Sequence, residues 1–437
     1  MQKVIQGKIK GNPLVAALLT VFIDAIGISI LIPVFAALVL PGRYQVIPAD
    51  WTIRQGFIMV GWLAGLFSIC TFLAAPILGQ MSDKYGRKKV LAISLFGTSV
   101  GYAVFAIGVA QRSIPLLFIG RIIDGITGGN IAVARAVIGD VSTQKTRTRN
   151  FGLVGAMFGM GFVLGPYIGG RLATAGEPFI NVFGHQALNT PSWFSPATPF
   201  WFAGILALIN VLLVLFVLPE TLKVKTYGKL RITQAFRNLK KGFSMPGIRS
   251  YLPTSFLYTA GFAFFTTFFS FTMIKRIPGF TTTNVADFFS LIGIWIAVFQ
   301  GVLIPALAKR YKNYQVIRYA LIGMSFAMFV PLIARTTGQA ILLSPFVPLF
   351  VAPVMANSIA LLTSIAPSNM RGEIMGINSS VEALAQGIPA VLSGYVASIA
   401  YYLPVVVSSI LIAFAAIAFW VLVKPSIIRA QDQETAR

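Results

Sequence analysis

The chain has one cysteine, Cys70, and one histidine, His185, among its 437 residues. A single thiol cannot close an intrachain disulfide. A single imidazole leaves a histidine-built metal centre or a Ser-His-Asp triad without its parts. Acid is also scarce, with 12 Asp and Glu against 35 Lys and Arg. Charged residues make up 11% of the chain and hydrophobic ones 56%, whereas a soluble domain carries roughly 25% charge. So few charges cannot coat a water-facing surface of this size. Soluble enzymes, disordered tails and disulfide scaffolds are thereby excluded. A net charge of +23 would suggest a nucleic-acid partner in a soluble protein. Here no basic domain exists to provide one, and basic loops that orient membrane helices account for the charge.

What the chain has in abundance is long apolar runs. A membrane-spanning helix needs about 20 apolar residues. Twelve runs of that kind lie near 14–40, 56–81, 89–110, 115–139, 150–171, 198–219, 251–274, 286–308, 315–334, 339–366, 372–400 and 402–423, the last two parted only by 401–404. They are continuous rather than alternating, which excludes a transmembrane β-barrel. The first run is longer than a signal-peptide core, and Pro41-Gly42-Arg43 does not offer a small-residue cleavage site, so no cleaved leader is expected.

The loops assign the sides. With both termini cytoplasmic, the inside segments hold Lys3, Lys8, Lys10, the basic residues of 84–89, 145–149, 223–249 and 309–318, then Arg371, Lys424, Arg429 and Arg437. The outside loops hold only Arg43, Arg54, Arg112, Arg171, Lys275, Arg276 and Arg335. This asymmetry follows the positive-inside rule. The long inside loop 220–250 divides the chain into six spans within 1–219 and six within 251–437. Its stretch from Ile232 to Phe243 has the pattern of a short amphipathic helix at the membrane surface. The long outside loop, 172–197, reads as a spacer.

The halves repeat weakly. Gly79-Gln-Met-Ser-Asp83-Lys-Tyr-Gly86-Arg87-Lys-Lys after span two parallels Pro305-Ala-Leu-Ala-Lys309-Arg-Tyr after span eight, with Tyr at the same offset. Arg149 precedes Gly165 by the interval at which Arg371 precedes Gly387. Six-helix symmetry of this kind marks transporters built from two halves.

Charges inside spans are costly and point to function. Asp24, Asp124 and Glu382 each fall nine or ten residues into a span, hence near mid-membrane at about 1.5 Å per residue. Desolvation penalises the charged form of a carboxylate, so such groups suit proton uptake and release. Arg121 and Asp124 are three apart and positioned to pair. Arg121, Gly125, Gly128, Ala132 and Arg135 follow one helical face, which would line a central cavity. Tyr258, Phe262, Phe265 and Phe269 form an aromatic stripe on span seven, suited to flat lipophilic or cationic compounds. Pro345, Pro348 and Pro353, followed by Asn357, suggest a kinked gating helix in span ten. In span five, Gly161, Gly165 and Gly169 present a bare face for close helix approach, and Pro166 permits a kink. That helix is expected to be one against which another bundle rocks.

Four of these stretches together resemble the major facilitator superfamily, in particular its twelve-helix drug:proton antiporter branch, which includes the tetracycline exporters. They are Asp24 to Pro33, Gly79 to Lys89, Arg121 to Gly129, and Gly161 to Gly170 with its Gly165-Pro166 and Gly169-Gly170. The resemblance covers nearly the whole chain, and the last stretch is similar to the pattern that marks exporters. It implies a cytoplasmic latch built on Gly79, Asp83, Gly86 and Arg87. Asp83 would sit against the inner start of span eleven, and Arg87 would pair with Asp140, favouring an outward-facing state. The chain departs from the tetracycline exporters in lacking an acid in span nine and a histidine in span eight, and in carrying Arg135.

The expectation is therefore an all-α integral membrane protein, with twelve transmembrane helices in two pseudo-symmetric six-helix bundles. It would be a monomer in the cytoplasmic membrane, both termini inside, with a small-molecule substrate, protons and the lipid bilayer as partners and no nucleic acid. It would export a lipophilic or cationic drug-like molecule by alternating access, driven by the proton gradient without a bound cofactor or metal. An enzyme is not expected, because no loop holds a nucleophile–base or metal constellation. Two alternatives stay open: a proton symporter or facilitator of a metabolite anion bound by Arg121 and Arg135, and a receptor or scaffold that does not transport.

Overall fold

A computed structural model describes residues 12–424 except 43, 144–145, 177, 183–184, 226–229 and 367–369. Lys3, Lys8, Lys10, Arg43, Lys145, Lys229, Arg429 and Arg437 of the charge pattern lie outside the described residues.

In the first half the helices are α1 (Pro13–Ser29), α2 (Leu31–Val39), α3 (Ile53–Tyr85), α4 (Arg87–Ala110), α5 (Ile114–Thr127), α6 (Asn130–Val141) and α7 (Arg147–Leu172). A hairpin of β1 (Pro178–Val182) and β2 (His185–Asn189) follows, then α8 (Thr198–Val217). After α9 (Gln234–Ser244) come α10 (Ile248–Arg276), α11 (Thr282–Val298), α12 (Ile304–Ala308), α13 (Asn313–Phe329), α14 (Thr337–Leu343), α15 (Phe346–Ser364), α16 (Arg371–Ile399) and α17 (Leu403–Leu422).

Among the described residues, eleven helices or runs of adjoining helices are long and apolar enough to cross a membrane. The twelfth, α16, has 29 residues, but Asn378, Ser379, Ser380, Glu382 and Gln386 make it more polar than the others. The chain is thus a multi-pass membrane protein of the expected helical class. Loop 172–197 is more than a spacer, since β1 and β2 pair antiparallel there with Ile180 opposite Ala187.

Four expected spans are interrupted, each where proline or glycine removes regularity. Pro33 cannot donate to Ser29, and the chain breaks between α1 and α2 at Ile30. Gly128 and Gly129 part α5 from α6. Pro305 cannot donate to Gly301, and Phe299–Leu303 forms a π-helical turn before α12. Pro345 separates α14 from α15.

The apolar cores show how the halves meet. One core, from Ile248 to Val423, lies wholly in the second half. Another, from Ala16 to Leu218, lies wholly in the first. A third joins them: Phe57, Val60 and Leu63 of α3 and Val34 of α2 share it with Phe268, Phe271 and Ala397 of the second half. All three of those partners sit toward the end that carries the β-hairpin. There α3 and α16 approach backbone to backbone, because a Cβ at Gly61 would lie 2.9 Å from the Ala390 carbonyl oxygen. At the opposite end, where the basic loop joins α3 to α4, Gly79, Gly152, Gly301 and Gly376 have open space in place of a Cβ. The bundles meet backbone to backbone at the hairpin end, whereas at the basic end they part around α9, which touches Phe72 of α3 and Ser380 of α16.

Helix α9 spans the parted end. Its Gly242 packs on Leu252 and Ile377 of the second half. Phe236 meets Phe72 of the first half edge-on at 5.5 Å. The Gln80 side chain accepts from the Arg231 amide and donates to its carbonyl, at 2.9 and 3.2 Å.

Candidate functional site

The mid-depth charges of the first half form one group. Arg121 is buried and makes two hydrogen bonds: Nη1 donates to Asp124 Oδ2 at 3.1 Å and Nε to the Leu63 carbonyl at 2.9 Å. Its guanidinium also lies over the Phe67 ring at 4.5 Å. The pair therefore ties α5 to α3. Asp24 is buried on α1, and its Oδ2 has no hydrogen-bond partner among the described residues. Tyr102 completes the group. Its hydroxyl overlies Gly27, one turn from Asp24, within electrostatic reach of Asp24, Arg121 and Asp124. A lone tyrosine in an apolar span carried no sequence signal.

The glycine stripe expected to line the cavity does something else. A Cβ at Gly125 would lie 2.6 Å from Cys70 Cβ, and one at Gly128 3.0 Å from Phe67 Cε2. Both glycines let α5 press on α3. Of that stripe, Arg135 is the residue that reaches across to the other half. Its Nη1 donates to Ser379 Oγ of α16 at 2.5 Å. Glu382, one turn further along α16, accepts from Asn378 Nδ2 at 2.8 Å, with Arg135 as its opposite charge. Asn378 Oδ1 in turn accepts from Ser255 of α10 at 3.0 Å. Two charges with no sequence relation are thus brought together where the bundles face each other.

The aromatic stripe of α10 divides. Phe262 is partly buried and meets Phe162 of α7 across the seam at 6.2 Å. Tyr258 is partly buried beside it. Phe265 and Phe269 are fully buried inside the second half, with Phe269 stacked on Phe288 at 4.4 Å. Phe265 is core rather than lining, because the stripe, within an arc of about 60°, divides along the helix axis: its first two residues are partly buried and its last two fully buried. Asn357 is also more local than expected. Its Nδ2 donates to the Pro353 carbonyl at 2.9 Å, one turn back in a proline-containing helix.

At the basic end, Arg87 Nε lies 3.0 Å from Asp140 Oδ2 and Nη1 lies 2.5 Å from Asp83 Oδ1. Asp83 is 44% exposed and pairs within its own loop. It does not reach α16 in this state, because α3 and α16 diverge from their contact at the other end. Glu373, in the first turn of α16, is instead held by Lys241 of α9. Gly79 faces open space. Gly86 has φ +106, a conformation side chains rarely adopt. Sequence reasoning missed Glu220, which accepts from the amides of Arg87 and Lys88 at 2.9 and 3.3 Å and so caps α4. In a chain with 12 acids, an acid at the end of span six was the available signal.

The span-five glycines pack within their own half. Cβ atoms at Gly161 and Gly165 would lie 2.5 and 2.6 Å from the Phe22 and Ile26 carbonyl oxygens of α1. Gly169 meets Ile30. The row is a fixed seat for α1 rather than a surface for the other bundle. Gly170, next along, does face the other half, against Thr282 and Ala286 of α11. Pro166 lies within the otherwise continuous α7.

Two helical bundles, closed at one end around a polar, partly charged centre, are the architecture of a membrane transporter. The family model of the Major Facilitator Superfamily matches residues 17–388, and the chain belongs to that family. It is 31% identical over 323 residues to the class C tetracycline resistance protein of Escherichia coli, covering 70% of each. It is 28% identical over 407 residues to the class H tetracycline resistance protein of Pasteurella multocida, covering 89% of this chain and 90% of that one. The structure of the human organic anion transporter MFSD10 (TETRAN) superposes with a TM-score of 0.65 at 22% identity, over 93% of this chain and 98% of that one.

Proposed function

We propose that this chain is a proton-coupled exporter of lipophilic or cationic drug-like molecules, working by alternating access. The observation that carries the reading is the buried Asp24, with an oxygen that has no hydrogen-bond partner among the described residues, beside the Arg121–Asp124 pair. A buried carboxylate in that position holds a proton in one state and releases it in another. Similarity to two tetracycline resistance proteins supports export and a drug-like substrate. On this reading the proton gradient supplies the energy, and no bound cofactor takes part.

The chain sits as a monomer in the cytoplasmic membrane with both termini inside. Residues 1–219 and 251–437 are the moving halves, and 220–250 joins them. The parted basic end is then the cytoplasmic mouth, and the state described is inward-facing. Substrate enters there as a proton leaves, and the halves rock to release substrate on the far side.

The test is proton movement in proteoliposomes. With the lumen acid, lipophilic cations and neutral drugs are added and lumenal pH is followed. Substrate-triggered proton efflux that is absent in Asp24→Asn is the expected result. An Asp24→Asn protein that still exchanges drug for protons removes Asp24 from the coupling step.

A second reading is favoured by Arg135, a cation placed between the halves. There the substrate is an organic anion, in keeping with the human structural relative. The same assay separates the two, because an anion panel would then give the response that the cations do not.

A further inference from the structure

Arg171 falls among the outside charges of the sequence pattern, yet it lies in the last turn of α7 and is 2% exposed. Its Nη2 lies 2.5 Å from Oδ1 of Asp287, on α11 of the opposite half. The guanidinium also lies 5.4 Å from the Tyr167 ring centroid. Next to it, Gly170 lets α7 and α11 approach until a Cβ there would crowd Ala286, with the Thr282 carbonyl oxygen at 3.1 Å. This is the hairpin end, the end at which the bundles are shut.

We propose that Arg171 and Asp287 form an ion latch that holds the hairpin end closed and must part for the transporter to open on that side. The Asp287 side chain is 32% exposed, and a carboxylate attracts a buried guanidinium more strongly than one in open water. Opening the seam wets the buried guanidinium, so the pair loses much of its attraction as the halves part. Losing Asp287 leaves the buried Arg171 guanidinium without its counter-charge, a penalty relieved by opening, and losing Arg171 removes the bond that holds the halves together. Removing either charge therefore favours the open arrangement. Arg171 and Asp287 are positioning residues, since neither lies among the mid-depth charges. The proposal rests on alternating access and on no particular substrate or coupling ion.

The experiment reads conformation without drug or gradient, so that its failure is distinct from failure of the antiport reading. In a Cys70→Ser background, spin labels are placed at Asp50→Cys with Gly338→Cys for the hairpin end, and at Lys89→Cys with Lys309→Cys for the basic end. All four are exposed positions. Distances are measured by pulsed electron resonance in lipid nanodiscs. Asp287→Asn and Arg171→Gln are each expected to move population from the short to the long hairpin-end distance, with the basic-end distance shortening in step. The reversed pair, Arg171→Asp with Asp287→Arg, is expected to restore the short hairpin-end distance. Should a neutral variant fail to fold, Asp287→Glu replaces it, and a smaller shift in the same direction is expected. Wild-type distance distributions in the folded single variants would overturn the proposal, as would single-variant shifts that the reversed pair does not correct.

Discussion

Arg135 of α6 and Ser379 of α16 are joined by a hydrogen bond of 2.5 Å across the line where the two halves of the protein face each other. Glu382 stands one turn from Ser379, and Asn378 orients its carboxylate at 2.8 Å. A cation from one half and an anion from the other thus frame the centre of the molecule. If substrate binds between the halves, as proposed, one of either sign would meet a counter-charge there, and the side chain at 135 would set which is favoured.

Replacing Arg135 with Gln should therefore discriminate by charge. Transport of organic anions is expected to fall at least tenfold, while transport of lipophilic cations is kept or raised. Initial rates for a matched anion and cation in proteoliposomes check this. Equal loss for both would make Arg135 a bridge between halves rather than a substrate contact.

Asp24 and Asp124 should separate in their effect on stability. Asp124→Asn removes the counter-charge of the buried Arg121, and breaking a buried pair costs roughly 3–5 kcal/mol. Asp24→Asn removes a carboxylate whose Oδ2 makes no hydrogen bond among the described residues and should leave the melting temperature unchanged or slightly higher. Thermal unfolding of both variants in detergent gives the comparison.

The two glycines of the basic loop should respond in opposite ways. Gly86→Ala places a Cβ at φ +106 against the Glu220 carboxylate and is expected to destabilise by about 1–2 kcal/mol. Gly79→Ala meets open space inside α3, where alanine is favoured by about 0.5–1 kcal/mol. If Gly79→Ala abolishes transport while the protein melts no lower, the close packing at Gly79 belongs to the other state of the cycle.

Glu220→Ala should weaken the start of α4. It removes the acceptor for the Arg87 and Lys88 amides, and loss of a helix cap costs about 0.5–2 kcal/mol. Glu220→Gln, which keeps an acceptor oxygen, should recover part of that loss. The melting temperatures of the two variants decide it.

Phe262 and Phe265 test the divided stripe. Phe265→Ala opens a void in a packed core and should destabilise by about 3 kcal/mol or more. Phe262→Ala, at the seam, should shift the preferred substrates with little change in melting temperature. A substrate panel alongside thermal unfolding distinguishes the two sites.

The sequence by itself determined the solvent, the twelve spans and the kinship between the halves. These follow from local properties: run length, loop charge, and motifs held within a few residues. It also located Asp24, Asp124, Arg121 and Glu382, because a charge inside an apolar run stands out without any knowledge of its neighbours. Helical spacing said which residues share a face but not what that face meets. So spacing alone points Gly125 and Gly128 at a cavity and Gly161 at the opposite bundle, whereas all three seat helices of their own half. Phe265 was assigned to a pocket and lies in a core.

Only the tertiary structure brought Arg135 to Ser379, Glu220 to the start of α4, and Arg171 to Asp287. These pairs are separated by more than a hundred positions each. Their partners are chosen by which helices lie side by side and at which end the bundles close. That choice depends on the glycines at which backbones touch, such as Gly61 against Ala390 and Gly170 against Ala286. A glycine's sequence does not name its neighbour, because the surface it offers is bare. The neighbour is fixed by the packing of the whole helix, and with it the end of the molecule that is open.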